Sequence, residues 1–318
     1  MKTPELAAGA LVLATALGVV GLWLPAGTEA RQAPVMRERR IMGPGPIAIS
    51  MRQGMEAVVL QADGAAYAVN LATGKIGPLL YRVPPAYQAA DIAAGAMGGG
   101  VVTCFSLSAR TSLEAGAFVL QVTPDRPDVW AWMSTPGVYI GLAINPADGH
   151  IYVSNSTTNE VFEVPVGVAN PRQVFVAAPL RAVRLGAMAI DPVARRLYVA
   201  DMGAPVIYAI DLASRSVRRL NVPVGDVRAL AWGEAARRLY VADSGQEAVW
   251  VVDPNAPKPA ANRFVQDPRI RVPAGITVAP DRSVWIADEA AHALFQVSAD
   301  SRTIIRVVPW SPPMPIKR

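Results

Sequence analysis

The chain is poor in the side chains that most often carry chemistry. Its 318 residues include one cysteine, Cys104, and two histidines, His150 and His292. A single thiol excludes an internal disulfide, an iron–sulfur cluster and a cysteine-rich zinc site. Neither histidine has a second histidine or a carboxylate at a metal-ligand spacing, so both read as surface residues. Cys104 ends an expected strand and reads as a small buried hydrophobe. No Gly-x-Ser-x-Gly elbow and no P-loop are present, and Gly98-Gly99-Gly100 precedes a strand rather than a helix, so it cannot seat a phosphate. No metal site and no cofactor are expected. Charged residues make up only 17% of the chain against 52% hydrophobic, which excludes a disordered chain. The formal net charge is +5, but the cations are scattered through turns and outer strands and are not interleaved with aromatics. No nucleic acid is therefore expected as a partner.

Only one long apolar run occurs. Residues 7–24 are broken only by Thr15, follow the single cation Lys2, and stop at Pro25. Thr28 and Ala30 place small residues where a signal peptidase would need them. Residues 1–30 are expected to be a signal peptide or, uncleaved, a membrane anchor, with an extracytoplasmic (periplasmic or secreted) location for the rest. Membrane association is expected only through residues 7–24. Arg31, Arg37, Arg39 and Arg40 follow the run and oppose translocation. Residues 31–44 suit a linker. Residues 311–318, with three prolines, form a tail that can be neither helix nor inner strand.

What the sequence has in quantity is repetition. The octapeptide Ala-Arg-Arg-Leu-Tyr-Val-Ala-Asp occurs at 194–201 and again at 236–243. Relatives flank both copies, so that an aromatic recurs at Tyr152, Tyr198, Tyr240 and Trp285, in steps of 46, 42 and 45. Each unit opens on a short apolar run such as Ala187-Met-Ala-Ile-Asp191 and turns through Pro, Asp and Gly. The aromatic strand follows, and then an alternating strand such as Val206-Ile-Tyr-Ala-Ile210. A weaker fourth strand closes the unit. Short runs of β-branched and aromatic residues between turn formers are strands, and no helical period appears after residue 30. Two weaker units precede, around Ala57–Leu60 with Ala66–Asn70, and around Val101–Cys104 with Ala117–Gln121. Four strands at a period near 45 predict an all-β, six-bladed β-propeller over residues 45–310, with four antiparallel strands per blade.

The segments Leu197-Tyr-Val-Ala-Asp201-Met-Gly203 and Leu239-Tyr-Val-Ala-Asp243-Ser-Gly245 resemble NHL-type repeats. They are also similar to blades of the gluconolactonase/regucalcin (SMP-30) superfamily. The resemblance implies a propeller. In its lactonase branch it implies a divalent metal held at the central channel by Glu, Asn and Asp at the starts of inner strands. Carried over residue by residue, the Asp position falls on Ala274, one Asn position on Arg228, another near Gly186, and the Glu near Gly45-Pro46. Hard divalent cations need oxygen ligands, which these side chains do not supply.

Two sets of polar residues stand out. Asn155, Asp201, Asp243 and Asp288 end the second strand of successive units. Recurrence at one repeat position marks them as structural acceptors for the following loop rather than as a cation site. Arg228 instead breaks the repeat. With Arg181, Arg184 and Asp226 it forms the candidate ligand-binding set, a basic mouth suited to an anionic group. The expectation is a non-catalytic, exported or tethered propeller, monomeric, that binds a protein partner or an anionic small molecule. The alternative is a lactonase-like hydrolase with an atypical site.

Overall fold

A computed structural model describes residues 44–84, 87–94, 100–106, 117–122, 127–133, 137–164, 172–175 and 180–313. The expected export segment 7–24, most of the expected linker 31–44, Gly98-Gly99 and the end of the expected tail lie outside these residues. Twenty-four strands form six four-stranded antiparallel sheets. The first sheet is β1 (Pro46–Met51), β2 (Glu56–Gln61), β3 (Ala65–Asn70) and β4 (Lys75–Arg82). The second is β5 (Tyr87–Ala94), β6 (Gly100–Ser106), β7 (Ala117–Val122) and β8 (Pro127–Met133). The third is β9 (Tyr139–Ile144), β10 (Ile151–Asn155), β11 (Glu160–Val164) and β12 (Arg172–Phe175). The fourth is β13 (Leu185–Asp191), β14 (Arg196–Asp201), β15 (Val206–Asp211) and β16 (Val217–Asn221). The fifth is β17 (Val227–Gly233), β18 (Arg238–Asp243), β19 (Ala248–Val252) and β20 (Ala261–Gln266). The sixth is β21 (Pro273–Val278), β22 (Val284–Asp288), β23 (Ala293–Val297) and β24 (Ile304–Pro309). Within every sheet the strands follow chain order, and the first strands β1, β5, β9, β13, β17 and β21 contact one another around a ring. This is a β-propeller whose inner strands enclose a channel.

Blade stacking explains the sequence pattern. A strand inside a blade has a neighbouring sheet on both faces, so it carries no polar alternation. In β14, Leu197, Tyr198, Val199 and Ala200 are all fully buried. The outer strand β16 is largely exposed. The recurring aromatic fills the gap to the next blade. Tyr152 packs with Leu185 and Met188 of the fourth sheet. Tyr198 stacks on Trp232 of the fifth at 5.6 Å between centroids. Tyr240 joins Ile276 of the sixth, and Trp285 joins Ile49 and Val59 of the first. The turn between the first two strands needs one residue in the left-handed region. Gly149 fills it in the third blade (φ 75°), but Arg195, Arg237 and Arg282 fill it in the next three (φ 51°, 51° and 69°).

The six sheets are not all alike at the axis. Five blades share one rule at the inner strand and the β5–β8 sheet breaks it. Each inner strand carries a β-bulge in which two residues face one on the second strand. The second residue of the pair is Ala48, Gly141, Ala187, Ala229 or Gly275 in five blades and Asp91 in the other. The physical reason for the rule is convergence toward the axis. A Cβ on Gly275 would come within 2.7 Å of the Cα of Ala48. On Gly141 it would strike the carbonyl oxygen of Gly186 and come 2.8 Å from Ser154 Oγ.

Among the described residues no sheet takes a strand from the other end of the chain, and side chains help to close the ring. Trp310, just past β24, lies edge-on to Tyr67 and donates its indole N–H to Gln61 Oε1 at 3.0 Å. The Arg306 guanidinium donates to the carbonyls of Leu71 and Ala72 at 2.8 and 2.7 Å. Trp310 is 7% exposed. Trp310→Ala is expected to lower unfolding free energy by about 3–5 kcal/mol in a urea titration, the usual cost of deleting a buried tryptophan.

Candidate functional site

The second-strand residues are built into the scaffold. Asn155, Asp201, Asp243 and Asp288 are 0–1% exposed. Asp201 accepts backbone N–H bonds from Val183 and Arg184 ahead of its own inner strand, at 2.9 and 3.0 Å, and from Gly203 in the following loop at 2.9 Å. Asp243 does the same for Gly225, Asp226 and Gln246. Asp288 does so for Arg271, Val272 and Ala291. Asn155 accepts from Thr157 and Thr158 in its loop. The sequence suggested the bonds to the following loop. It did not reveal the bonds to the chain arriving from the previous blade. Each Asp ties that crossing segment to the start of the new inner strand, which is why the residue recurs.

Arg228 is the first residue of the β17 bulge, and its counterparts are Ile47, Ala90, Ile140, Gly186 and Ala274. It is the one charged side chain in that set. Its guanidinium lies 3.8 Å from Asp226 Oδ2 and 3.8 Å from Glu289 Oε2. Ser244 also donates to Asp226 Oδ2 at 2.8 Å. The mouth therefore has two carboxylates around its arginine, and Glu289 was not foreseen. Arg181 and Arg184 are exposed in the segment before β13. Arg184 is held by its backbone, donating to Asp201 and accepting from Met202. The described contacts do not join either of these arginines to Arg228. At the opposite ends of the blades, His150 is not a lone surface residue. Its Nδ1 lies 2.7 Å from Glu163 Oε1, which also accepts from the Tyr152 hydroxyl at 3.1 Å. Burial, with Glu163 beside it, pushes the Tyr152 hydroxyl up.

The channel forms a cavity of about 1170 Å³. All six inner strands line it, chiefly through aliphatic side chains such as Ile92, Leu142, Met188, Leu230 and Ile276. Charged side chains are few. Arg52, Asp148 and Glu234 stand at the turn ends of the strands, and Asp91 stands on the wall. Arg52 is 15% exposed and approaches Glu56 at 3.7 Å. Its Nε, buried, has no hydrogen-bond partner among the described residues.

Asp91 is partly exposed and lines the channel. Oδ1 accepts the N–H of Ile92 at 2.8 Å, and Oδ2 accepts the N–H of Leu142, on the neighbouring inner strand, at 3.0 Å. Burial pushes its carboxyl up to about 7, against the pull of those two N–H donors. The sequence signal for Asp91 was its place in the bulge. It became readable only once β5 was aligned with the other inner strands, because the second blade was recognised by β6 and β7.

Residues 23–241 match the family described as SMP-30/Gluconolactonase/LRE-like region. No curated protein matches the chain. Among solved structures, a chain of the nidogen/laminin complex superposes with a TM-score of 0.64 at 14% identity, over 78% of this chain and 91% of that one. An auxiliary nutrient binding protein from Bacteroides thetaiotaomicron gives 0.59 at 10% identity, over 78% and 67%. Virginiamycin B lyase from Staphylococcus aureus, a catalytically inactive form with quinupristin, gives 0.56 at 13% identity, over 84% and 85%. At these identities the likeness is one of fold.

Two outcomes are expected from the site residues. Asp243→Ala strips the acceptor from three backbone N–H groups and should cost about 2–4 kcal/mol in chemical denaturation, with Asp243→Asn costing less. Asp91 has a raised folded pKa, so the stability it contributes is full below about pH 4 and is lost as the pH climbs toward 7. Asp91→Asn should flatten that part of the stability profile, read from melting temperatures across pH 4–8.

Proposed function

Because the chain belongs to the SMP-30/gluconolactonase/LRE-like family, we propose that it is a non-catalytic member that binds a small, largely apolar molecule in its channel. The observation that carries this reading is the wall of the channel. It is large enough for a drug-sized ligand, it is lined by aliphatic side chains from six strands, and a few polar groups punctuate it, which is the composition of a ligand pocket. Against the lactonase alternative stand the residues at the family's metal positions. Ala274, Gly186 and Arg228 offer no side-chain oxygen, and a cation at 228 repels the ion.

The anionic-ligand expectation weakens for the same mouth. Asp226 and Glu289 already share the Arg228 charge, so the channel rather than the mouth is the better site. Neighbours named for nutrient binding and for a protein complex are compatible with a binding role. We place the propeller outside the cytoplasm, by reason of the apolar run 7–24, and take it to act as a monomer.

The test is a titration with the uncharged fluorophore N-phenyl-1-naphthylamine. One molecule per chain should bind, and Ala93→Trp, which puts an indole into the channel, should weaken binding at least tenfold. Binding that Ala93→Trp leaves untouched sinks the channel reading. Stoichiometric calcium or zinc in the purified protein, with turnover of a lactone, restores the hydrolase.

A further inference from the structure

Five of the six inner strands place Ala or Gly at the second bulge position, and the sixth places Asp91. Convergence at the axis demands a small side chain there, so a carboxylate is the least expected substituent. Its two oxygens each take one backbone N–H, which leaves lone pairs on both for a further donor. Among the described residues no cation forms an ion pair with it. The charged groups of the channel are Arg52, Asp148 and Glu234 at the turn ends, while β1 and β9 beside Asp91 present Ala48, Ile49, Ser50, Leu142 and Ala143. The hydroxyl of Ser50 is already an acceptor for the Ala94 N–H at 2.9 Å. A charged carboxylate in such a wall is costly unless an opposite charge arrives with good hydrogen bonds.

We propose that Asp91 is a recognition site for an organic ammonium group, and that the channel takes a primary amine carrying an apolar tail. This rests on the channel reading above and names the class of ligand. The ammonium donates to the free lone pairs of Asp91, and the tail lies along Leu142, Met188 and Leu230. A divalent cation is a poor alternative, because the wall offers it no second carboxylate. Since burial pushes the Asp91 carboxyl up to about 7, amine binding should take a proton from Asp91 below that pH and weaken there.

Octylamine and octan-1-ol, titrated by calorimetry into the full chain, separate charge from tail. At pH 8 the amine should bind at least tenfold more tightly than the alcohol. Asp91→Asn should remove that preference and leave alcohol affinity unchanged. In the unmutated protein, lowering the pH from 8 to 5.5 should weaken the amine and not the alcohol, which tests the proposal even if Asp91→Asn fails to fold. Equal binding of the two probes, or a preference that survives Asp91→Asn, overturns the amine site while alcohol binding blocked by Ala93→Trp still upholds the channel. If neither probe binds, both readings fall.

Discussion

Convergence of six sheets on one axis is the constraint on which this molecule depends. A blade is a wedge, and its inner strand must come close to two others. Close approach of backbones is permitted only where side chains are small, and Ala48, Gly141, Ala187, Ala229 and Gly275 meet that demand. Moving outward, the wedge widens, and the aromatics Tyr152, Tyr198, Tyr240 and Trp285 fill the added space. The same geometry leaves an open space at the centre. The channel is what remains when inner strands can approach no further.

Much of this was legible in the sequence because it repeats. The Ala-Arg-Arg-Leu-Tyr-Val-Ala-Asp unit records a left-handed turn, a strand buried on both faces and an acceptor at its end, all within eight residues. The site was less legible, for a physical reason. Repeats announce what every blade needs, whereas Asp91 sits where one blade departs from that need, on a strand whose neighbours carry weak patterns. The pairing of Arg228 with Glu289 was hidden differently, since the two lie on different blades, 61 positions apart. His150 and Glu163 belong to adjacent strand ends, and only the register of β10 with β11 brings them together.

Family and site point in different directions here. The scaffold residues that carry the family resemblance, among them Asp201, Asp243 and Asp288, are occupied with backbone N–H groups. The positions onto which the resemblance carries the lactonases' metal ligands hold Ala274, Arg228 and Gly186. The fold is thus retained by residues engaged with the backbone, while side chains at the inner-strand bulges are free to vary. A bulge is suited to this, because it re-aims a side chain without disturbing the ladder on either side.

Each sheet is assembled wholly from four consecutive strands, and this bears on how the chain comes to be folded. Every ladder of hydrogen bonds can be completed by local hairpins as the polypeptide emerges from the ribosome, with little loop entropy to overcome for a protein of this class. Only the seam between the last blade and the first must wait for the whole chain. There, Trp310, Gln61 and Arg306 make contacts across more than 230 positions of sequence. The ring is therefore a row of wedges that can form in order of synthesis, with its circularity acquired last, through the contacts across that seam.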